Sequence, residues 1–306
     1  MVINSVLPIF AVIALGSLLK RLDLTSDSFL STADRLTYNI FFPALLFWKI
    51  GTPAASGEID WTMITAVWCA VFVTFLASFA FTAVAGVSDY QAGSFSQSCY
   101  RFSSYVGMAV LMTAYGEEGV RRFGLLIGFV IPFINVLSVV SLIWLSSRDY
   151  RADEKARIIL KELITNPLIW ACLLGVLYSK LNTPFPKFVE NTLSLMSLMA
   201  LPLALVSMGG ALTFDKFKGH FTLSLVAAVF KLLWLPLVGY AFLRWFSVSE
   251  GSLRTAMIYF ALPSTPSVYI LSAQLNSDVD LASASVVLSV LLSIVSLSVT
   301  LMVFGG

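Results

Sequence analysis

Apolar residues run along this chain in blocks about as long as a bilayer is thick, and short polar stretches separate them. A helix needs about 20 predominantly apolar residues to cross a hydrocarbon core. Ten blocks of that order can be marked, at 2–19, 29–50, 62–86, 91–115, 119–146, 161–180, 188–212, 220–246, 250–275 and 279–304. The longest polar stretch, SSRDYRADEKAR from Ser146 to Arg157, reads as a short connector. The pattern predicts an all-α integral membrane protein with ten transmembrane helices and no separate soluble domain.

Composition points the same way. The 306 residues are 58% hydrophobic and 12% charged, against about 45–50% and about 25% in ordinary soluble domains. The net charge of +2 comes from basic residues scattered between the blocks, so nucleic acid is excluded as a partner and the lipid bilayer is the expected one. Cys69, Cys99 and Cys172 all fall inside blocks, with no CxxC pair and no metal-ligand spacing. They read as small packing residues. The first block has no basic residue before it and Lys20-Arg21 after it, the reverse of a secretory signal, so it is expected to stay as a helix. Positive charge favours the cytoplasmic side. Arg148, Arg151, Lys155 and Arg157 between the fifth and sixth blocks therefore place both termini outside.

Sliding the chain along itself reveals a repeat at an offset of 159 residues, which sets Pro8 on Pro167, Gly16 on Gly175, Phe29 on Phe188, Pro43 on Pro202 and Gly51 on Gly210. The same register aligns Tyr100 with Tyr259. The chain thus reads as two halves, 1–150 and 151–306, of five spans each. Five is odd, so the second half enters the membrane from the opposite side. Inverted repeats of this kind are a plan of secondary transporters, with substrate bound near the midplane where discontinuous helices meet.

The ninth block supplies such a discontinuity. Pro263 and Pro266 stand three residues apart in ALPSTPSVY, beside Ser264, Thr265 and Ser267. A proline inside a helix removes a hydrogen bond and clashes with the preceding turn, at a cost of about 3 kcal/mol. In hydrocarbon the freed backbone survives only where protein or a wet cavity satisfies it. The repeat offset puts the matching break of the fourth helix at Ser104 to Gly107, with Ser103 and Ser104 as its other disrupting residues. Two broken helices crossing at one depth would present two half-helix N-termini, each with about half a positive charge, to an anion.

Ionisable groups inside spans each need a reason. Asp34 and Arg35 lie a turn or two into the second span, where snorkelling or pairing accounts for them, and Lys49 lies near its far end. Arg101 precedes the expected break, and Lys231 falls in the middle of the eighth span. Lys231 is read as lending structural charge to the crossing, as a bound sodium ion does in other transporters, with substrate contact as the other role. Asn39 either faces a cavity or packs between helices. Gly124 and Gly128 form a GxxxG that signals close helix packing. His220 lies at a membrane boundary, and Glu117-Glu118 reads as a solvated loop. No catalytic or cofactor motif is present in the sequence, so neither an enzyme nor a metal or organic cofactor is expected.

These residues together resemble the auxin efflux carrier family: Gly16 with Lys20-Arg21, FFPALLF from Phe41, NPLIWACLLGVLYS from Asn166, LPLALVSMGGALT from Leu201, KLLWLP from Lys231 and LPSTPSVYILSAQL from Leu262. The resemblance covers nearly the whole chain. It implies a fold like that of bile-acid and sodium/proton transporters, with helices 1, 2, 6 and 7 as scaffold, helices 3–5 and 8–10 as core, and crossed broken helices 4 and 9. It also implies a bacterial cytoplasmic-membrane permease for small carboxylates or auxin-like acids, and dimerisation through the scaffold. The family's fourth-helix motif often reads RFN, where this chain has Ser103, so substrate contacts are expected to differ.

The expected function is therefore secondary transport of a small organic anion by an elevator-like movement, with proton coupling among the energy sources. The expected substrate-binding residues are Asn39, Arg101, Ser103, Ser104, Tyr105, Gly107, Pro263, Ser264, Thr265 and Pro266, with Lys231 in the electrostatic role. A sodium-coupled symporter of the bile-acid type is the alternative, and uptake in sodium-free buffer separates the two.

Overall fold

A computed structural model describes residues 2–52, 59–145, 152–212 and 217–305 of the chain. Among them every regular element is helical. Six segments are long and apolar enough on their own to cross a membrane. They lie in α1 (Val2–Arg21), α4 (Trp61–Val84), α6 (Ser104–Leu145), α9 (Lys187–Gly210), the run from α10 (Phe217–Val229) through α11 (Leu235–Trp245), and α14 (Val279–Phe304). α7 (Ala152–Ile164) and α8 (Pro167–Ser179) qualify only as a pair, bent by 52°. The remaining helices are α2 (Asp27–Leu36), α3 (Phe42–Gly51), α5 (Asp89–Ser98), α12 (Glu250–Ala261) and α13 (Ser267–Gln274). By composition and helix length this is an integral membrane protein.

The interruptions follow from proline chemistry and capping. Thr37–Phe41 and Phe230–Trp234 are π-helical turns, and each runs straight into a helix with proline in its first turn, Pro43 and Pro236. A proline lacks the N–H that the carbonyl four residues back needs and crowds that carbonyl with its ring. A wider π turn just upstream shifts the ladder so that the clash is avoided. At the α7–α8 bend, Asn166 accepts from the amides of Leu168 at 3.0 Å and Ile169 at 3.4 Å, capping a helix that starts on Pro167.

Three expectations need correcting. The stretch Ser146 to Arg157 is not simply a connector: residues 146–151, with Arg148 and Arg151, lie outside the described residues, but from Ala152 the chain is helical. Its acidic first turn (Asp153, Glu154) and basic last turn (Lys161) suit the helix dipole. The fourth-helix break is not at Ser104 to Gly107. It occupies Cys99 to Ser103, and Ser104 to Gly107 form the first turn of α6. Without a proline nothing forbids helix at 104–107, and the repeat has slipped by one turn here. Finally, Glu117-Glu118 is not a loop. Gly116 alone, at φ 60° and ψ −146°, turns the chain between two helical stretches of α6, a conformation open essentially only to glycine.

The chain divides into two compact units, each drawing on both sequence halves. The first comprises Met1–Asp60, Tyr105–Phe129 and Asn166–Ala211. In it α1 and α9 approach so closely that a Cβ on Gly16 would collide with the Val206 carbonyl, and one on Gly209 with that of Ile13. α8 packs on α3, where a Cβ on Gly175 would meet Ile50 Cβ at 3.0 Å. The GxxxG packs as expected: a Cβ on Gly128 would stand 2.8 Å from Cys172 Cβ, and Gly124 faces Ile50. Lys49 pairs with Glu117 at 2.7 Å.

The second unit comprises Trp61–Ser104, Val130–Thr165 and Leu212–Gly306. α14 runs through it against α5, α10, α12 and α13, and α11 packs on α4. Ile158 and Ile159 seat α7 on a cluster of Val139, Leu142, Ile143, Leu271 and Leu275.

Candidate functional site: two interrupted helices

Both expected discontinuities exist, and both lie in the second unit. α5 ends at Ser98 and α6 begins at Ser104; α12 ends at Ala261 and α13 begins at Ser267. The paired prolines sit inside the second gap. Leu262, which caps α12, is already extended at φ −66° and ψ 148°, as a residue before proline should be.

The two gaps are joined main chain to main chain. The Ser103 amide donates to the Pro263 carbonyl at 2.9 Å. One backbone group freed by each interruption is thereby satisfied by the other, in a place where water is scarce. Phe102 packs edge-on to Tyr259 with ring centroids 4.6 Å apart. The Ser264 amide donates to Ser289 Oγ on α14 at 3.0 Å.

Two cations stand at these ends. Arg101, inside the first gap and only 8% exposed, donates through Nη2 to Ser267 Oγ at 3.1 Å and to Asn135 Oδ1 at 3.3 Å. It thus places a guanidinium beside the first residue of α13. Lys231, in the second π turn and fully buried, donates to the Phe260 carbonyl at 3.1 Å. That carbonyl belongs to the last turn of α12, where the helix dipole is negative and backbone acceptors lack intrahelical donors. The lysine therefore caps the carbonyl end of the broken helix.

Polar groups behind the gaps form a second layer. Gln97 Nε2 donates to Ser272 Oγ at 2.8 Å and to the Val268 carbonyl at 3.2 Å, while Ser94 Oγ meets Ser272 Oγ at 2.7 Å and donates to Ser277 Oγ at 2.9 Å. This ties α5 to α13. Ser264 Oγ and Tyr259 Oη, by contrast, are buried with no hydrogen-bond partner among the described residues. A fully buried hydroxyl without a partner costs about 1–3 kcal/mol, and here two are left beside the gaps.

The structure thus brings Arg101, Ser103, Ser104, Pro263, Ser264, Thr265, Pro266 and Lys231 into one unit. Asn39, Tyr105 and Gly107 belong to the other. Asn39 is exposed and donates to the Arg35 carbonyl at 2.7 Å, which commits one of its N–H groups within its own helix. Tyr105 packs edge-on against Phe42 at 5.0 Å. Sequence reasoning missed Asn135, Ser289 and the Ser94–Gln97–Ser272 layer. The signal available was their polarity inside apolar blocks, a signal that isolated serines share with helix-packing residues.

Comparison with known proteins identifies the family. The family described as Membrane transport protein matches residues 1–301. An uncharacterized transporter of Methanothermobacter thermautotrophicus is 24% identical over 298 residues, covering 96% of this chain and 95% of that one. The match spans both gaps and both π turns, and that family consists of membrane transporters. The chain therefore belongs to the Membrane transport protein family, that of the auxin efflux carriers, and is a membrane transporter.

Proposed function

We propose that this transporter carries a small organic anion such as a carboxylate or auxin-like acid, with its negative group held where the two interrupted helices meet. The observation that carries this reading is the placement of the Arg101 guanidinium beside the first turn of α13, 3.1 Å from Ser267 Oγ. Positive charge and a helix N-terminus repel. An anion between them turns that repulsion into two attractions, and Ser264 Oγ is a hydroxyl with a hydrogen bond to give. Ser103, Ser104, Thr265 and the prolines shape the gaps.

The ten-helix inverted repeat is supported by a reciprocal pattern of packing. Gly16 of α1 meets α9, while its repeat-equivalent Gly175 of α8 meets α3. Two halves related by a two-fold axis exchange contacts in this way. On that plan transport proceeds by an elevator-type movement of the core helices against the scaffold in a homodimer of the cytoplasmic membrane. The test is counterflow of labelled malonate, malate and indole-3-acetate in proteoliposomes. Pro263→Ala combined with Pro266→Ala, in protein that still purifies folded, is expected to reduce binding and exchange at least tenfold. Exchange at the wild-type rate would sink the mechanism, and uptake strictly dependent on sodium would favour the bile-acid-type alternative.

A further inference from the structure

Within the second unit, α7 is too highly charged for hydrocarbon and too apolar on its outer side for water. Six of the ten residues from Asp153 to Glu162 are ionisable, and such groups are expensive inside a bilayer. The inner side is accounted for: Ile158 and Ile159 seat it on Val139, Leu142 and Ile143 of α6 and on Leu271 and Leu275 at the end of α13. The outer side is not, because Leu160 and Ile164 are 57% and 54% exposed. That outer side is divided lengthwise. Residues four apart on a helix line up in a row, so Ala156, Leu160 and Ile164 form an apolar row, and Asp153, Arg157, Lys161 and Thr165 form a polar row beside it. All seven are exposed. The other ionisable residues of the helix, Glu154, Lys155 and Glu162, are half-buried.

The two cations of the polar row are uncommitted. No ion pair of Arg157 or Lys161 occurs among the described residues, whereas Asp153 and Glu154 have interactions of their own. Asp153, the acid of the row, stands a turn before Arg157 at the start of the helix. Depth is marked independently by Trp144, which is exposed in the last turn of α6. Indole rings collect at the level of the lipid headgroups, and α7 is packed on the residues Val139 to Ile143 just before that tryptophan. A helix with an apolar row beside a basic one, at that level, has the form of an interfacial helix.

We propose that the outer side of α7 is a binding surface for an anionic phospholipid, whose phosphate lies between Arg157 and Lys161 while an acyl chain runs along Ala156, Leu160 and Ile164. Charge complementarity selects the headgroup. A zwitterionic lipid brings its own ammonium beside the two cations, whereas an anionic lipid brings only the charge they lack. The apolar row selects a lipid over a free phosphate, since a water-soluble anion leaves Leu160 and Ile164 uncovered. The surface does not depend on which solute the transporter carries. Because the inner side of the same helix holds the ends of α6 and α13 together, a bound lipid also stabilises the second unit against melting.

Two experiments test this. Delipidated protein in a neutral detergent is titrated with phosphatidylglycerol and, separately, with phosphatidylcholine, and binding is read by native mass spectrometry beside a thermal melt. The wild type should bind phosphatidylglycerol more tightly and melt higher with it. Arg157→Gln combined with Lys161→Gln should weaken that binding about thirtyfold, the effect of removing two cations at a membrane surface. The exchange Arg157→Lys with Lys161→Arg keeps both charges and should keep the binding, and Leu160→Ser with Ile164→Ser should weaken it with both charges in place. Millimolar glycerol 3-phosphate should not displace the lipid. In nanodiscs of phosphatidylglycerol, a nitroxide on Leu160→Cys, in a background lacking Cys69, Cys99 and Cys172, should be more accessible to oxygen than to a water-soluble nickel complex. The proposal is overturned if the wild type does not distinguish the two lipids, if the double glutamine variant or the double serine variant binds phosphatidylglycerol as the wild type does, or if glycerol 3-phosphate displaces it. Preferential access of nickel to the nitroxide, or spin coupling between two copies, would overturn it as well.

Discussion

At the scale of single residues, the buried cation on the broken helix is the sharpest case. Lys231 is fully buried, and its ammonium is turned to the Phe260 carbonyl. The chain that carries it is straight and flexible, so methionine fills the same volume without charge. A unit charge roughly 10 Å from a bound anion, at an effective dielectric of about 20, contributes about 1.7 kcal/mol. Lys231→Met is therefore expected to raise KM for the anion about twentyfold. Folded stability should shift by less than about 1 kcal/mol, because the lost hydrogen bond is offset by release of a desolvated charge. Initial-rate kinetics beside a thermal melt checks both. The residue was identifiable in the sequence as a lone lysine in an apolar block. Its partner was not, because a backbone carbonyl leaves no trace in the alphabet of side chains.

At the scale of elements, glycine marks the places where helices touch. A Cβ on Gly16 would strike the Val206 carbonyl, and backbone cannot rotate aside as a side chain can. Gly16→Ala should lower stability by about 1–3 kcal/mol through overpacking of α1 on α9. Gly219→Ala on α10, with nothing within 4 Å of the added carbon, should be neutral or gain up to about 1 kcal/mol from helix propensity. Paired melts of the two variants in one detergent decide it. Some of the elements were legible in the sequence: block lengths marked the six long apolar segments, and Pro263 with Pro266 marked the second gap. The first gap was misplaced by a turn because Cys99 to Ser103 contains neither proline nor glycine. It is held open by a bond to a residue far along the chain. The π turns were invisible for a related reason: Pro43 and Pro236 announce a disturbance but not which repair the helix adopts.

At the scale of the whole molecule, orientation is the cheapest property to check. By the positive-inside rule, the basic residues from Arg148 to Arg157 predict a C-terminus on the outside. A C-terminal alkaline phosphatase fusion in a bacterial host should be active and a green fluorescent protein fusion dark. The reverse pattern would invert the topology. The register that sets Gly16 on Gly175 and Gly51 on Gly210 is visible in the sequence, whereas the grouping of helices into compact units depends on contacts far apart in sequence. The link between the two gaps, Ser103 amide to Pro263 carbonyl, carries one more consequence. Because neither partner is a side chain, the letters on both segments can change while the joint is kept, and an alanine at Ser103 would leave the donor in place. Exchanging the position-103 amide for an ester by semisynthesis, which deletes the donor and leaves every side chain in place, is the perturbation that would make this seam visible.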